Sequence, residues 1–216
     1  MRWAIVPALL SLAGAPCAAQ LPTVEASVLE ALGHYREQGP TLDFSGSGPA
    51  GRLDLSWRRW GLTVRGSRVD YAPTDPTLGT EAFKATETEV SLRFQPLPSI
   101  PVSAEGGVVR RTTDPGDAAQ DVRAFRLGVT SRFVIGRGAA IRARAAWLLG
   151  ARFSGGGSAG TALSLGLAAD YRPVARLPWA WAVVDYDFER IDRATAVPVP
   201  IERSIVRLGL EARFIP

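Results

Sequence analysis

The sequence predicts an all-β fold, a closed antiparallel up-and-down barrel that spans a membrane. Three observations carry that expectation. Apolar and polar residues alternate over long runs, the runs exceed ordinary strand length, and tight corners alternate with longer polar connections. The clearest run is Phe125–Phe153. Before its Arg137-Gly138 corner, Phe125, Leu127, Val129, Phe133 and Ile135 share one parity and Arg126, Gly128, Thr130 and Arg132 the other. After the corner, Ile141, Ala143, Ala145, Trp147, Leu149 and Phe153 alternate with Arg142, Arg144, Ala146, Gly150 and Arg152. Strand side chains point to opposite faces with period two, so each strand shows one apolar and one Arg-studded face. These runs are about twice the usual strand length of roughly 5–6 residues.

The chain opens MRWAIVPALLSLAGAPCAAQ. Arg2, the apolar Ala4–Ala13 and the small residues Cys17-Ala18-Ala19 read as a secretory signal peptide over residues 1–19, too short for a membrane-spanning helix. The sole cysteine, Cys17, lies in that leader, so the mature protein is expected to lack a thiol. Acylation of Cys17 is the alternative, but Gly14-Ala15-Pro16 fits the lipoprotein consensus poorly.

Residues 20–40 are expected to form a short N-terminal periplasmic helix and linker. Val24, Val28, Leu32 and Tyr35 recur at helical spacing within Leu21–Gln38, and Gly39-Pro40 ends the segment. The helix would pack on the barrel rim or lie in the lumen as a plug.

Residues 41–216 then read as strand and turn throughout. Expected strands cover Thr41–Gly48, Arg52–Trp57, Trp60–Asp70, Lys84–Phe94, Val102–Thr112, the two arms of the central hairpin, Thr161–Arg172, Trp179–Arg190 and Glu202–Phe214. Corners at 58–59, 95–101, 136–138 and 173–178 alternate with longer connections at 72–82, 113–120, 154–160 and 192–201. Short turns at one end and longer loops at the other are the pattern of outer-membrane barrels. Nine strands are plain; a periplasmic N-terminus requires an even number, which promotes Thr41–Gly48 to a tenth. Eight is the next candidate.

Aromatic placement selects the lipid face. Trp57, Trp60, Phe94, Phe133, Tyr171, Trp179 and Phe214 lie by the short corners or the chain end, and form one expected girdle. Tyr71, Phe83, Phe125, Phe153, Tyr186 and Phe188 lie near the longer loops, as a second. A soluble lipocalin-like barrel has no reason to segregate aromatics so. The opposite parity carries Arg126, Arg132, Arg142, Arg144, Arg152, Arg207 and Arg213 with Glu87, Glu105, Asp170, Asp185, Asp187 and Glu211. An Arg in mid-bilayer costs roughly 2–4 kcal/mol, so that face is expected to line the lumen. Trp179 and Trp181 share parity with Asp185, which implies a bulge or an inward Trp there.

A leader, alternating strands and the terminal strand RSIVRLGLEARF together resemble the small outer-membrane β-barrel proteins of Gram-negative bacteria. The resemblance covers the mature chain and is architectural. It implies outer-membrane lipids and the barrel-insertion machinery as partners. Barrels of that class usually end on an aromatic residue that the machinery recognises; here Phe214 is followed by Ile215-Pro216.

Chemistry is sparse. Barrel hydrolases, palmitoyltransferases and omptin proteases in this membrane use a histidine, and the only one here, His34, falls in the expected N-terminal helix. No catalytic residue, cofactor or metal site is therefore expected. Asp114-Pro-Gly-Asp117 reads as an acidic turn, and Gly155-Gly156-Gly157 as a surface loop without a phosphate-loop pattern. The sequence pI of about 9.8 does not argue for nucleic acid, because Arg alternates with Asp and Glu and never clusters. Asp185 and Asp187 fit an internal salt-bridge network better than an acid/base pair. Two functions follow. One is a barrel with a side-chain-filled lumen and a structural or loop-mediated binding role. The other is a porin-like, narrow Arg-lined pore or binding cavity for small anionic solutes. Eight strands are just filled by side chains, whereas aqueous porins have roughly 16–18 strands, which favours the first. Small residues at Gly106, Gly128, Gly150, Gly166 and Gly209, if they left a void inside the wall, would favour the second.

Overall fold

The computed structural model describes residues 22–37, 42–116, 119–136, 138–154, 156–194 and 200–214. The expected leader with Cys17, the Gly39-Pro40 stop, and Asp117, Arg137, Gly155 and Ile215-Pro216 lie outside the described residues. Ten strands form the wall: β1 Thr23–Glu37, β2 Leu42–Trp57, β3 Trp60–Pro73, β4 Phe83–Phe94, β5 Val102–Asp114, β6 Val122–Ile135, β7 Ala139–Phe153, β8 Ala159–Tyr171, β9 Ala180–Arg193 and β10 Ile201–Phe214. Each pairs antiparallel with its sequence neighbour, and β10 returns to β1, so the sheet closes with no free edge. Among the described residues a single 3-10 turn, Pro76–Leu78, sits in the loop after β3, and no helix is long and apolar enough to cross a membrane.

The number ten agrees with the sequence reading, but through two offsetting errors. The segment expected to be a helix is β1. Val24, Val28 and Leu32 are four residues apart, a spacing that keeps one face in a strand as well as in a helix. What decides is closure. Register pairs run from Val24↔Phe214 to Glu37↔Ile201 on one side and from Thr23↔Ser56 to Glu37↔Leu42 on the other. A helix here would leave the edges of β2 and β10 unpaired, which a membrane-spanning wall does not tolerate. Conversely, Thr41–Gly48 and Arg52–Trp57 are one strand, β2. Pro49 lies inside it, and the ladder to β3 lapses only between Ser47↔Asp70 and Ala50↔Ser67.

The outer face is aliphatic, with Leu62, Val64, Leu92, Leu127, Val129, Leu165, Leu167, Leu208 and Leu210 all exposed. Glu30 interrupts this band on β1, opposite Pro49 and Leu208. At the short-turn end Trp57, Trp60, Phe133, Tyr171, Trp179 and Phe214 point outward, while Phe94 packs on Trp60 with ring centroids 4.6 Å apart. The expected second girdle is corrected. Tyr71, Phe83 and Phe153 point inward and are buried; Phe125 and Tyr186 remain outside.

For Phe153 the cause is local. Gly150 adopts φ +60°, and the register between Arg123↔Arg152 and Phe125↔Leu149 gains one residue on β7. This bulge inverts parity beyond it, turning Ala151 and Phe153 inward and Arg152 outward. For Tyr71 and Phe83 the strands simply keep their period past the bilayer edge, where the lumen is lined with apolar groups.

Candidate functional site

The lumen has two tiers. From the short-turn end to beyond mid-barrel it is ionic. Arg52, Arg65, Arg93, Arg111, Arg126, Arg132, Arg142, Arg144, Arg203, Arg207 and Arg213 interleave with Glu25, Asp54, Glu87, Glu89, Glu105, Asp170, Asp185, Asp187, Glu189 and Glu211. Eleven cations therefore face ten carboxylates among the described residues, and little net field is left to attract an anion.

The centre of this tier is Asp187. It accepts from Arg144 and from Arg207 at 2.5 Å, with Arg65 at 3.4 Å. Arg144 also donates to Glu89 at 3.1 Å, and Glu89 accepts from Arg126 at 2.9 Å. Arg126 continues to Ser164 at 3.2 Å and lies 3.5 Å from Glu105. Asp185 takes Arg207 at 3.1 Å and Arg52 at 3.4 Å. Nearer the short turns, Asp170 accepts from Arg142 at 2.7 Å and Arg213 at 2.6 Å, and Arg132 donates to Glu25 at 3.0 Å. The Arg213 guanidinium lies 3.8 Å from the Trp181 ring centre, so Trp181 is the inward Trp of that corner.

Nearer the long loops the lumen is apolar. Tyr35, Phe44, Tyr71 and Phe83 pack with centroid separations of 5.0–6.1 Å, and Phe153, Ile191, Ile201 and Ile205 belong to the same cluster. A third ionic group, Arg111 with Glu189 at 2.8 Å and Arg203 with Glu87 at 2.5 Å, lies next to it. The remaining space is small. Cavities of about 30 Å³ by Arg144, Asp185 and Asp187, and about 10 Å³ by Arg52 and Arg207, have room for a few waters and no larger solute. The glycines do not enclose a void: a Cβ on Gly166 would meet Asp187 Oδ1 at 2.6 Å, and Gly106 lies on the parity opposite buried Glu105. A larger recess, about 250 Å³, opens at the short-turn mouth beside Arg58, Arg59, Arg93 and Arg132.

Of the residues singled out from sequence, Arg126, Arg144, Arg207, Asp185 and Asp187 meet in one network, and Arg132 and Arg142 join it through Asp170, Glu25 and Asp54. Arg152 does not; the Gly150 bulge puts it on the outer surface. Sequence reasoning missed Arg52, Asp54, Arg65, Glu89, Arg111, Glu189 and Arg203, though extending the parity of Glu87 or Arg207 by two residues at a time reaches Glu89 and Arg203. Glu25 was hidden by the helix reading.

His34 also changes place. It lies on the outward face of β1 at the long-loop end, with Nε2 2.6 Å from Asp43 Oδ1 and Arg36 3.8 Å from the same carboxylate. It is exposed, and no described Ser or second acidic pair is bonded to it. Glu25, Asp54 and Glu211 could bring carboxylate oxygens within 4.8 Å of one another, but each is already paired with arginine. In the loop after β3, Asp75 accepts from Thr77 N at 2.9 Å and Oγ1 at 2.5 Å, and these bonds hold its carboxyl below the usual carboxylate range.

The sequence matches no protein-family model and no curated protein. Solved structures do match. The outer-membrane protease OmpT from Escherichia coli aligns with 91% of this chain and 98% of its own, at 10% identity and TM-score 0.57. The attachment invasion locus protein Ail of Yersinia pestis aligns over 90% and 99%, at 14% identity and TM-score 0.43. The outer-membrane protein OprG from Pseudomonas aeruginosa aligns over 91% and 98%, at 11% identity and TM-score 0.38. The chain has the fold of the small outer-membrane β-barrel proteins of Gram-negative bacteria.

Proposed function

We propose that this outer-membrane barrel is a sealed, non-enzymatic wall, acting as a structural element or through its long loops, and that its terminal strand is the segment read by the insertion machinery. The observation that supports the reading is the filling of the lumen. Arginines and carboxylates compensate one another through mid-barrel, and an aromatic and aliphatic layer follows them toward the loops. Ions crossing such a lumen would have to break buried pairs, each break leaving an uncompensated charge at a cost of about 3–5 kcal/mol. A nearly balanced network also lacks the one-sided charge that concentrates a substrate or counter-ion.

A second reading is a blind vestibule for small anions, favoured by the recess beside Arg58, Arg59, Arg93 and Arg132. Planar-bilayer conductance of the refolded chain separates the proposal from a pore. Folded protein, recognised by heat-modifiable migration, is expected to give no discrete steps in chloride or in salts of larger anions. Anion-selective steps would replace the sealed wall with the pore.

A further inference from the structure

Three arginines stand side by side on the outside of the wall, at the upper edge of its apolar band. Arg110 of β5 is directly opposite Arg123 of β6, and Arg123 is directly opposite Arg152 of β7. All three are exposed on the outer face, and none has a carboxylate partner among the described residues. Directly opposite residues in antiparallel strands have Cβ atoms roughly 4.5–5.5 Å apart, and like charges so placed repel. Two other arginines of this rim are compensated: Arg190 contacts Asp192 at 3.1 Å and Glu202 at 3.0 Å, and Arg36 faces Asp43. The triad is thus an uncompensated cationic sector.

Its height fits a lipid headgroup. Arg123 is about ten residues along β6 from Phe133 in the lower girdle, and a tilted strand crosses the hydrocarbon in roughly 9–11 residues. Directly below the Arg123–Arg152 pair, Phe125 and Leu149 are opposite one another and exposed, an apolar platform for acyl chains. Behind the guanidiniums lies a recess of about 200 Å³ that also includes Asp121. That carboxylate already accepts from Thr113 N at 2.7 Å and Oγ1 at 2.9 Å. The bulge at Gly150 assembles the sector, because unbroken alternation would turn Arg152 into the lumen.

We infer that Arg110, Arg123 and Arg152 form a binding site for a phosphate-bearing lipid headgroup of the outer leaflet. Guanidinium forks match phosphate oxygens in pairs, and an anion bridging adjacent strands removes the repulsion among the three cations.

The test places the refolded full chain in phosphatidylcholine nanodiscs with a small fraction of diphosphoryl lipid A or its dephosphorylated counterpart. Retained lipid is counted by native mass spectrometry. The diphosphorylated lipid is expected to stay bound. Retention should fall about tenfold in R123Q/R152Q, as loss of charge-assisted hydrogen bonds implies, and stay unchanged in R190Q. Heat-modifiable migration checks the fold, and the single variant R152Q carries the test if the double variant does not fold. Equal retention of both lipids, or equal loss in R190Q, would overturn the site. If inorganic phosphate alone at millimolar concentration displaced the lipid, the ligand would be a free anion, and the lipid assignment would fall.

Discussion

Gly166 lies against the Asp187 carboxylate so closely that a Cβ at position 166 would stand 2.6 Å from Oδ1 and 3.2 Å from Arg144 Nε. The absent side chain is what lets Asp187 gather Arg144, Arg207 and Arg65 at the centre of the lumen. Gly166→Val is therefore expected to displace the carboxylate and weaken the central network. Breaking a buried pair in this way costs about 3–5 kcal/mol, and the temperature of heat-modifiable unfolding should drop accordingly. An unchanged unfolding temperature would mean that the lumen is looser than its contacts imply.

The wall separates two costs that are easy to confuse. Leu165 is exposed on the lipid face of β8, whereas Arg144 lies inside on β7. An Arg at position 165 meets hydrocarbon and costs roughly 2–4 kcal/mol near the midplane, before any repacking. Arg144→Ala instead leaves Glu89 with Arg126, and Asp187 with Arg207 and Arg65. L165R is expected to abolish stable insertion into bilayers, and R144A to insert while unfolding at lower temperature. Should both variants insert equally well, the assignment of faces to β7 and β8 is wrong.

Period-two alternation made most of this legible in the sequence, because a side chain's face follows from its parity wherever the strand is regular. Arg126, Arg142, Arg144, Asp185 and Asp187 lie on regular stretches, and their positions follow directly. Arg152 does not, since one glycine in the left-handed region adds a residue and reverses every face after it. Tyr71 and Phe83 were misread because sequence gives a residue's position along a strand but not the tier of lumen it meets. For β1, spacing by four is ambiguous between helix and strand, and only the need of β10 for a partner resolves it. The pairing of arginines with carboxylates two or more strands apart, such as Arg126 with Glu89 or Arg111 with Glu189, depends on barrel closure and leaves no local signal.

That dependence makes β1 itself testable. Ala31 is fully buried on its inner face and is paired with Arg207 on β10 and Gly48 on β2. Ala31→Pro removes a backbone donor from a ladder inside the membrane, where no water can substitute. The variant is expected to yield no heat-modifiable species. Were residues 23–37 a rim helix, with the wall beginning at Thr41, the same proline would leave a ten-strand barrel intact and the gel shift in place.

The aromatic layer gives the sealed lumen its sharpest consequence. Phe44 and Phe83 pack edge to face at 5.0 Å, and both contact Tyr35 in the tier nearest the long loops. Truncating a buried Phe to Ala removes about 3–5 kcal/mol through lost transfer and the cavity left behind. F44A/F83A should therefore unfold at markedly lower temperature than the native chain. Its effect on conductance is a separate matter. The layer is backed by Arg111–Glu189 and Arg203–Glu87, and below them by the central network, so emptying it opens a vestibule without opening a channel. The double variant is expected to stay silent in planar bilayers. Adding R144A and R207A, which free Asp187 of two cations, is expected to give the first measurable steps. Conductance in F44A/F83A alone would move the seal from the ionic tier to the aromatic one.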